Sequence, residues 1–337
     1  MTIARRPGRW LRRAGAAVTA LGLSVVLAAC GDDARRDGPA APIAFAILSA
    51  EGQAAVEPLW RPLLDDMSQA VGAPVQARFG ANYAELVRAM QAGEVQAAWM
   101  SPRPAIQLID AGVAEIAART VDRGGADSYR SVMIASVGSG LTLDRILACD
   151  GGLKLGLGDA DSTSATLAPA AFLFGPRGID PATCFASVRS GDYPSNAYAV
   201  AGGSLDVAVV NTVTLDQLRR QNPQIAEQLR EVWRSPALPE GAVLVRTDLD
   251  PAVKEKLRGF LLTYGDGDST TAARQRQVLA ALNYSRFRAA DAGYLDPVRE
   301  MLASRNLAQA RASGDRAAAR TAEAELQRLR VKREVQP

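Results

Sequence analysis

The sequence contains no histidine and only three cysteines among its 337 residues. Histidine is the usual general base near neutral pH and the commonest ligand of transition metals. Its absence excludes serine–histidine and cysteine–histidine catalysis as well as histidine zinc sites, and no paired acidic motif replaces it. We therefore predict that the chain is not an enzyme, and we predict no catalytic residue, no metal site and no cofactor.

Acidic residues are missing from residues 1–29, which carry five arginines followed by a short apolar stretch. This pattern is typical of a secretory signal, and the apolar stretch is too short and too interrupted by glycine to remain as a spanning helix. It ends in Leu27-Ala28-Ala29-Cys30, which resembles the bacterial lipobox. The resemblance implies that Cys30 carries lipid, palmitate included, and anchors the protein to the periplasmic side of a bacterial membrane. The alternative is a signal that is cleaved without lipidation.

Residues 30–42 are polar, lack apolar periodicity and are predicted to form a flexible tether. Without the five arginines of the signal, the formal net charge changes from +3 to −2. The composition therefore gives no support for nucleic-acid binding.

Strand and helix patterns alternate after the tether, which indicates parallel sheets covered on both faces. A first series begins at residue 43, and a second series with its own strands follows residue 136. An apolar strand resumes at residue 242 and is expected to return to the first series. We predict two α/β lobes joined by two extended crossings, with a ligand cleft between them. Lobe 1 comprises residues 43–136 and 242–302, and lobe 2 comprises residues 137–241.

Residues 303–337 read as a charged C-terminal helix with eight Arg/Lys and four Asp/Glu. This helix is either a solvated element, partly disordered beyond Gly314, or a docking element. Cys149 and Cys184 fall within the predicted lobe 2. In an exported protein they can form a disulfide, and the alternative is two buried thiols.

Three consecutive hydroxyl residues, Ser162, Thr163 and Ser164, separate an alternating strand at residues 153–158 from an apolar helix at residues 166–174. We refer to these three residues as the hydroxyl cluster. The first amides of a helix lack intrahelical partners and lie at the positive end of its dipole, so they attract an anion. The sequence thus predicts an anion site here. Ordinary helix capping by serine or threonine is the alternative.

With these features in view, the order and spacing of several short segments resemble the phosphonate-type (phosphate, phosphite, phosphonate) substrate-binding proteins of ABC transporters over roughly residues 43–300. The segments that carry the resemblance are Phe45-Ala46-Ile47-Leu48-Ser49-Ala50-Glu51, Leu59-Trp60-Arg61-Pro62-Leu63, Phe79-Gly80-Ala81-Asn82-Tyr83-Ala84, Tyr129-Arg130-Ser131-Val132-Met133-Ile134, Gly158-Asp159-Ala160-Asp161-Ser162-Thr163-Ser164, Asn196-Ala197-Tyr198-Ala199-Val200, Asp206-Val207-Ala208-Val209-Val210-Asn211, Trp233-Arg234-Ser235-Pro236 and Phe287-Arg288.

The resemblance implies a bilobal periplasmic-binding-protein fold of type II and a monomeric, lipid-anchored receptor. Such a receptor captures a small phosphorus oxyanion and delivers it to an ABC permease. The alternative function is a ligand-occupancy sensor or interaction lipoprotein of the same fold without a transporter.

Within that family the oxyanion is held by a loop that falls on the hydroxyl cluster, and two cleft tyrosines fall on Tyr83 and Tyr129. A family histidine aligns with Tyr193. Family acids that hold the amine of aminoalkyl ligands align with Val213 and Gly241, so an ammonium group would find no carboxylate at these positions. The resemblance therefore predicts a compact oxyanion and a smaller or more apolar distal pocket.

Three further residues lie near the predicted cleft. Ser49 and Ser101 follow strands whose ends are expected to face it, and either hydroxyl can donate to a ligand. Arg103 is either a surface arginine or an additional positive charge in the cleft.

Overall fold

The computed structural model describes residues 41–49 and 53–335. The predicted signal, Cys30 and most of the tether lie outside these residues. One six-stranded sheet forms the centre of lobe 1. Its first strands in the chain pair in parallel and the others pair antiparallel, so the sheet is mixed. In spatial order the strands are Tyr284–Arg288, Ala114–Asp122, Ala242–Arg246, Ala97–Met100, Ile43–Leu48 and Val75–Gly80.

Helices cover both faces of this sheet, as the alternating pattern predicts. The long first helix buries one stripe of apolar residues, including Trp60, Leu63 and Met67, against the strands. Asn82 caps the second helix by accepting a hydrogen bond from the Glu85 amide. The helices of lobe 1 are Gln53–Val71, Tyr83–Gln91, Pro102–Asp110, Pro251–Thr263 and Thr270–Ala281.

A five-stranded sheet forms lobe 2. In spatial order its strands are Leu229–Arg234, Ser131–Ser136, Val207–Asn211, Lys154–Leu157 and Ser187–Ser190. Its helical segments are Val137–Ser139, Leu143–Ile146, Thr163–Leu167, Ala170–Phe174, Gly175–Arg177, Pro181–Cys184, Tyr193–Ala201, Thr212–Gln221 and Pro223–Ala226. Cys149 and Cys184 form a disulfide within this lobe.

The strand Ser131–Ser136 corrects one predicted boundary. Its position in the chain predicted that it belongs to lobe 1, but it pairs antiparallel with Val207–Asn211 and Leu229–Arg234 in the sheet of lobe 2. An apolar strand carries no local signal of the sheet that it will join, because both sheets bury the same residue types. The end of lobe 1 therefore precedes this strand.

The two crossings between the lobes lie side by side. Ser128–Tyr129 in the first crossing pairs antiparallel with Leu238–Pro239 in the second, and Tyr129 faces Leu238. This short two-stranded ladder is the place where the chain passes from lobe to lobe in both directions.

The C-terminal segment folds as a helical hairpin rather than as one helix. Ala292–Leu295 leads into Asp296–Ser313, and Arg316–Val335 returns along it after Gly314, which has a positive φ of 73°. Ala310, Ala322, Leu326 and Leu329 are buried within the hairpin. In the part of the chain that the structure describes, none of the helices has the length and apolar character needed to cross a membrane.

The first helix of the hairpin joins a core that both lobes share. Its Val298 and Met301 belong to the same buried cluster as Met90 and Leu108 of lobe 1 and Leu167 of lobe 2. The lobes are therefore in apolar contact beside the cleft as well as connected through the crossings.

Candidate ligand-binding cleft

The hydroxyl cluster begins a helix, as predicted, and all three of its side chains are buried. The helix starts at Thr163 rather than at Thr166, and its first turns are wound as a π-helix. Ser162 is the N-cap residue, and its Oγ accepts a hydrogen bond of 3.0 Å from the Ala165 amide. Gly158 permits the close approach of strand and helix, because a Cβ at this position would lie 2.4 Å from the Cβ of Ala165.

Thr163 lies at the junction of the two lobes. Its Oγ1 is 2.7 Å from Oγ of Ser101 and accepts a 2.9 Å hydrogen bond from the Arg103 amide. Ser101 and Arg103 stand at the start of the helix Pro102–Asp110 in lobe 1. Two helix N-termini from opposite lobes therefore face each other here, and both contribute a positive field. This is the electrostatic setting that an anion prefers.

Tyr193 completes the cluster from within lobe 2. Its hydroxyl is 2.9 Å from Oγ of Ser162 and 2.8 Å from Oγ of Ser164. Burial raises the pKa of Tyr193, while the two serine hydroxyls act in the opposite direction. The phenol is therefore a neutral group at physiological pH, able to donate a hydrogen bond to an anion.

Tyr83 and Tyr129 lie on the same cavity as Tyr193 and are almost fully buried. Burial raises the pKa of both phenols well above its ordinary value. The amide of Tyr83 also donates a 3.3 Å hydrogen bond across the cleft to Asp159 of lobe 2. The structure thus brings together the two tyrosines that the sequence predicted for the cleft.

A cavity of about 250 Å³ lies between the lobes and the crossings. Both positions at which the family acids are replaced, Val213 and Gly241, line it. Its other lining residues are Ile47, Leu48, Trp60, Tyr83, Trp99, Ser101, Pro102, Tyr129, Tyr193, Asn211, Thr214, Gln217, Glu240, Leu282, Asn283 and Tyr284. The cavity is thus lined by aromatic and aliphatic side chains together with a few amide and hydroxyl groups.

Neither Ser49 nor the hydroxyl cluster lines this cavity directly; Ser162 lines a second cavity that shares Leu48, Tyr83 and Tyr193 with it. Ser49 has a backbone partner, because its Oγ donates a 3.2 Å hydrogen bond to the carbonyl of Gly80 in the neighbouring strand. The pairing of Ile43–Leu48 with Val75–Gly80 continues to this residue, because the Ser49 amide also donates to the Gly80 carbonyl. The hydroxyl of Ser49 therefore forms a hydrogen bond with the backbone at the end of this strand pair.

Glu240 is a cleft residue that the sequence analysis did not identify. It lines the cavity with only 6% of its surface exposed. Burial, together with the carboxylate of Asp122, raises the pKa of Glu240 to about 8, although the Gly241 amide and Arg119 act in the opposite direction. An acid beside Gly241 in a Pro/Gly segment looks like an ordinary turn residue, so the sequence carried no signal of this burial.

Arg103 joins the lobes rather than facing solvent. Its guanidinium forms a 3.1 Å ion pair with Asp161 and a hydrogen bond with the Ala160 carbonyl, both in lobe 2. On another side of the cavity, the Asn283 amide donates a 2.8 Å hydrogen bond to Gln217 of lobe 2. These contacts hold the two lobes together around the cavity.

Within residues 41–49 and 53–335, no group of three acidic or cysteine residues is positioned to hold a metal ion. The cleft instead offers neutral donors: hydroxyls, phenols and helix amides. Two α/β lobes, two crossings and a donor-lined cleft between them define a solute-binding protein of the periplasmic type.

Comparison with known proteins identifies the family. The model of the family described as ABC transporter, phosphonate, periplasmic substrate-binding protein matches residues 45–294. The phosphonates-binding periplasmic protein of Escherichia coli K12 is 32% identical over 258 residues, which are 76% of this chain and 75% of that protein. The chain belongs to this family of periplasmic substrate-binding proteins of phosphonate ABC transporters.

Solved structures confirm the predicted bilobal type II fold. A binding-protein component of an ABC phosphonate transporter from Pseudomonas aeruginosa superposes with a TM-score of 0.81 at 33% identity, covering 88% of this chain and 99% of that chain. PhnD1 from Prochlorococcus marinus in complex with methylphosphonate has a TM-score of 0.67 at 17% identity, covering 77% of this chain and 96% of that chain. At that identity the second similarity shows the fold alone.

Proposed function

We propose that this protein captures a compact phosphorus oxyanion in its cleft and releases it to an ABC permease, without chemical turnover. The observation that supports this most directly is the convergence of neutral donors at Thr163, where helix N-termini from both lobes meet. Such a site stabilises an anion through hydrogen bonds and helix dipoles, and it needs no cationic side chain in direct contact.

In the proposed complex the oxyanion replaces the contacts that the donors now make with each other. The hydroxyl cluster and the phenol of Tyr193 donate from lobe 2, while Ser101 and Tyr83 donate from lobe 1 and Tyr129 from the crossing. Because donors come from both sides, binding favours the closed arrangement of the lobes. We leave Ser49 out of this set, since its hydroxyl is engaged by Gly80.

The proposed ligand is phosphate, phosphite or a short alkylphosphonate. Neither Val213 nor Gly241 provides a carboxylate for an ammonium group. Glu240 does line the cavity, but burial raises its pKa to about 8, so holding an ammonium group there would require the ionisation of a buried carboxyl. Methylphosphonate, with which PhnD1 from Prochlorococcus marinus was solved in complex, is one ligand of this class.

We further propose that the mature chain is a lipoprotein with Cys30 as its modified residue, tethered to the membrane by residues 30–42. The support is the lipobox-like sequence and the polar composition that follows it. Replacing Cys30→Ser is expected to move the protein from the membrane fraction to the soluble fraction. Retention in the membrane fraction would refute the anchor and leave the binding proposal intact.

Isothermal titration tests the proposed binding function. The soluble form beginning at residue 41 would be titrated with phosphate, phosphite, methylphosphonate and 2-aminoethylphosphonate. We expect one site per chain for at least one of the first three ligands, with phosphorus NMR showing the ligand unchanged after incubation. Strongest binding of 2-aminoethylphosphonate would contradict the compact-oxyanion assignment.

A further inference from the structure

Two buried polar atoms have no hydrogen-bond partner at the distal end of the cavity. Among the described residues, Oε1 of Glu240 and Nε1 of Trp99 both lack one, and both residues line the cavity. The indole of Trp99 packs against Gly241, the residue that follows Glu240, where an added Cβ would lie 2.4 Å from Cζ2. Buried polar groups are almost always satisfied in folded proteins, so an unpaired pair beside a ligand cavity indicates a missing partner.

The charges around this pair limit the kind of partner. Glu240 is close to the carboxylate of Asp122, which disfavours a second anionic group on the ligand. An ammonium group could donate to Oε1 of Glu240, but it has no lone pair with which to accept from the indole N–H of Trp99, so it would satisfy only one of the two atoms. The partner that fits both atoms is therefore neutral.

A hydroxyl group satisfies both atoms at once. Its oxygen can accept the indole N–H of Trp99, and its proton can be donated to Oε1 of Glu240. A purely apolar group in the same place would leave both atoms unpaired, and an ammonium group could not accept from the indole. The two unpaired atoms therefore favour a hydroxyl group over an apolar group and over an ammonium group.

The size of the cavity suits a short chain. Ser101, which contacts Thr163 of the hydroxyl cluster, lines the same cavity of about 250 Å³ as Trp99 and Glu240. A cavity of this size accommodates a small oxyanion that carries an alkyl chain of a few carbons.

We propose that Glu240 and Trp99 form a subsite for a neutral hydroxyl group on the ligand, so that the preferred substrates are short hydroxyalkylphosphonates. This inference rests on the proposed oxyanion site. It adds a specificity determinant at positions next to those where the family acids are replaced.

The test compares three ligands that share a two-carbon chain: ethylphosphonate, 2-hydroxyethylphosphonate and 2-aminoethylphosphonate. Titration of the soluble form of the protein is expected to show at least tenfold tighter binding of the hydroxyethyl ligand than of the ethyl ligand. The variants Trp99→Phe and Glu240→Leu should each bring this ratio below about three. Glu240→Gln keeps hydrogen-bonding groups and should preserve most of the preference.

Trp233→Phe is the matched control, since Trp233 is partly buried against the core of lobe 2 and does not line the cavity. It should leave the tenfold ratio unchanged, and thermal unfolding of every variant shows whether it is folded. A ratio near one in the unaltered protein, a ratio insensitive to both subsite variants, or tightest binding of the amino ligand overturns the subsite. In those cases binding of ethylphosphonate itself still supports the oxyanion site, whereas loss of binding for all three ligands overturns both proposals.

Discussion

Replacing Thr163→Val removes one hydroxyl at the junction of the lobes while keeping the shape of the side chain. In the present structure this hydroxyl contacts Ser101 and accepts from the Arg103 amide, and the residue is completely buried. In the proposed complex this hydroxyl donates to the oxyanion instead, so the change removes one hydrogen bond to a charged group. Such a bond contributes about 1.5–3 kcal/mol, and the complex should lose that amount.

This loss should appear as weaker affinity. A penalty of about 1.5–3 kcal/mol corresponds to an affinity roughly 10- to 150-fold lower. Titration with methylphosphonate measures it directly. The variant also lacks the contacts of Thr163 with Ser101 and the Arg103 amide, so small-angle scattering of the ligand-free protein should show a larger radius of gyration than that of the unaltered protein.

Thr166→Val is the control for Thr163→Val. Thr166 lies one turn further along the same helix, and its Oγ1 donates a 2.7 Å hydrogen bond to the Asp159 carbonyl within lobe 2. The control should change stability slightly and affinity less than threefold. If Thr163→Val folds normally by circular dichroism and binds as tightly as the unaltered protein, the assignment of the junction as the anion site is wrong.

Further predictions concern the phenol of Tyr193, the ion pair of Arg103, the disulfide and the buried carboxyl of Glu240. Tyr193→Phe should lower oxyanion affinity about tenfold in titrations, since its hydroxyl contacts two serines of the cluster. Arg103→Ala should weaken binding only about three- to fivefold, because a partly exposed ion pair contributes about 1 kcal/mol or less; a hundredfold loss would instead indicate direct ligand contact. Replacing both Cys149 and Cys184 by alanine should lower the free energy of unfolding in urea by about 2–4 kcal/mol, as expected for a sequence separation of 35. Glu240 has a pKa of about 8 when folded against 4.5 as its ordinary value, so its contribution to stability is present at low pH and declines as the pH rises from 4.5 to about 8. Glu240→Gln should reduce that decline by up to about 1.4 kcal/mol per pH unit, and unfolding at pH 5.5 and 7.5 checks it; an unchanged slope would show that this carboxyl titrates normally.

Local chemistry made the hydroxyl cluster predictable. Three hydroxyls between a strand and an apolar helix are a feature of neighbouring residues, and Gly158 before them marks the tight turn. The exact start of the helix was not predictable in the same way. Thr163 begins π-helical winding, and a pattern based on 3.6 residues per turn placed the start at Thr166.

Long-range structure explains what the sequence did not reveal. Glu240 is buried because residues far away in the chain, including Trp99 and Tyr284, close over the same cavity. Similarly, Ser131–Ser136 joins the second sheet through pairing with strands more than sixty residues further along the chain. Composition and periodicity describe one element at a time, so they identify strands without showing which strands will be neighbours.

The core that Val298 and Met301 share with Leu167 has a consequence for how the lobes move. If the hairpin moves with lobe 1, each opening of the lobes exposes to water apolar side chains that are buried in the closed form. The motion then carries a heat-capacity change of the kind that accompanies unfolding. The resting equilibrium would then be temperature-dependent even without solute, with cooling favouring the open form. The fraction of closed protein that is available to a permease would then depend on the hydration of apolar side chains as well as on the solute.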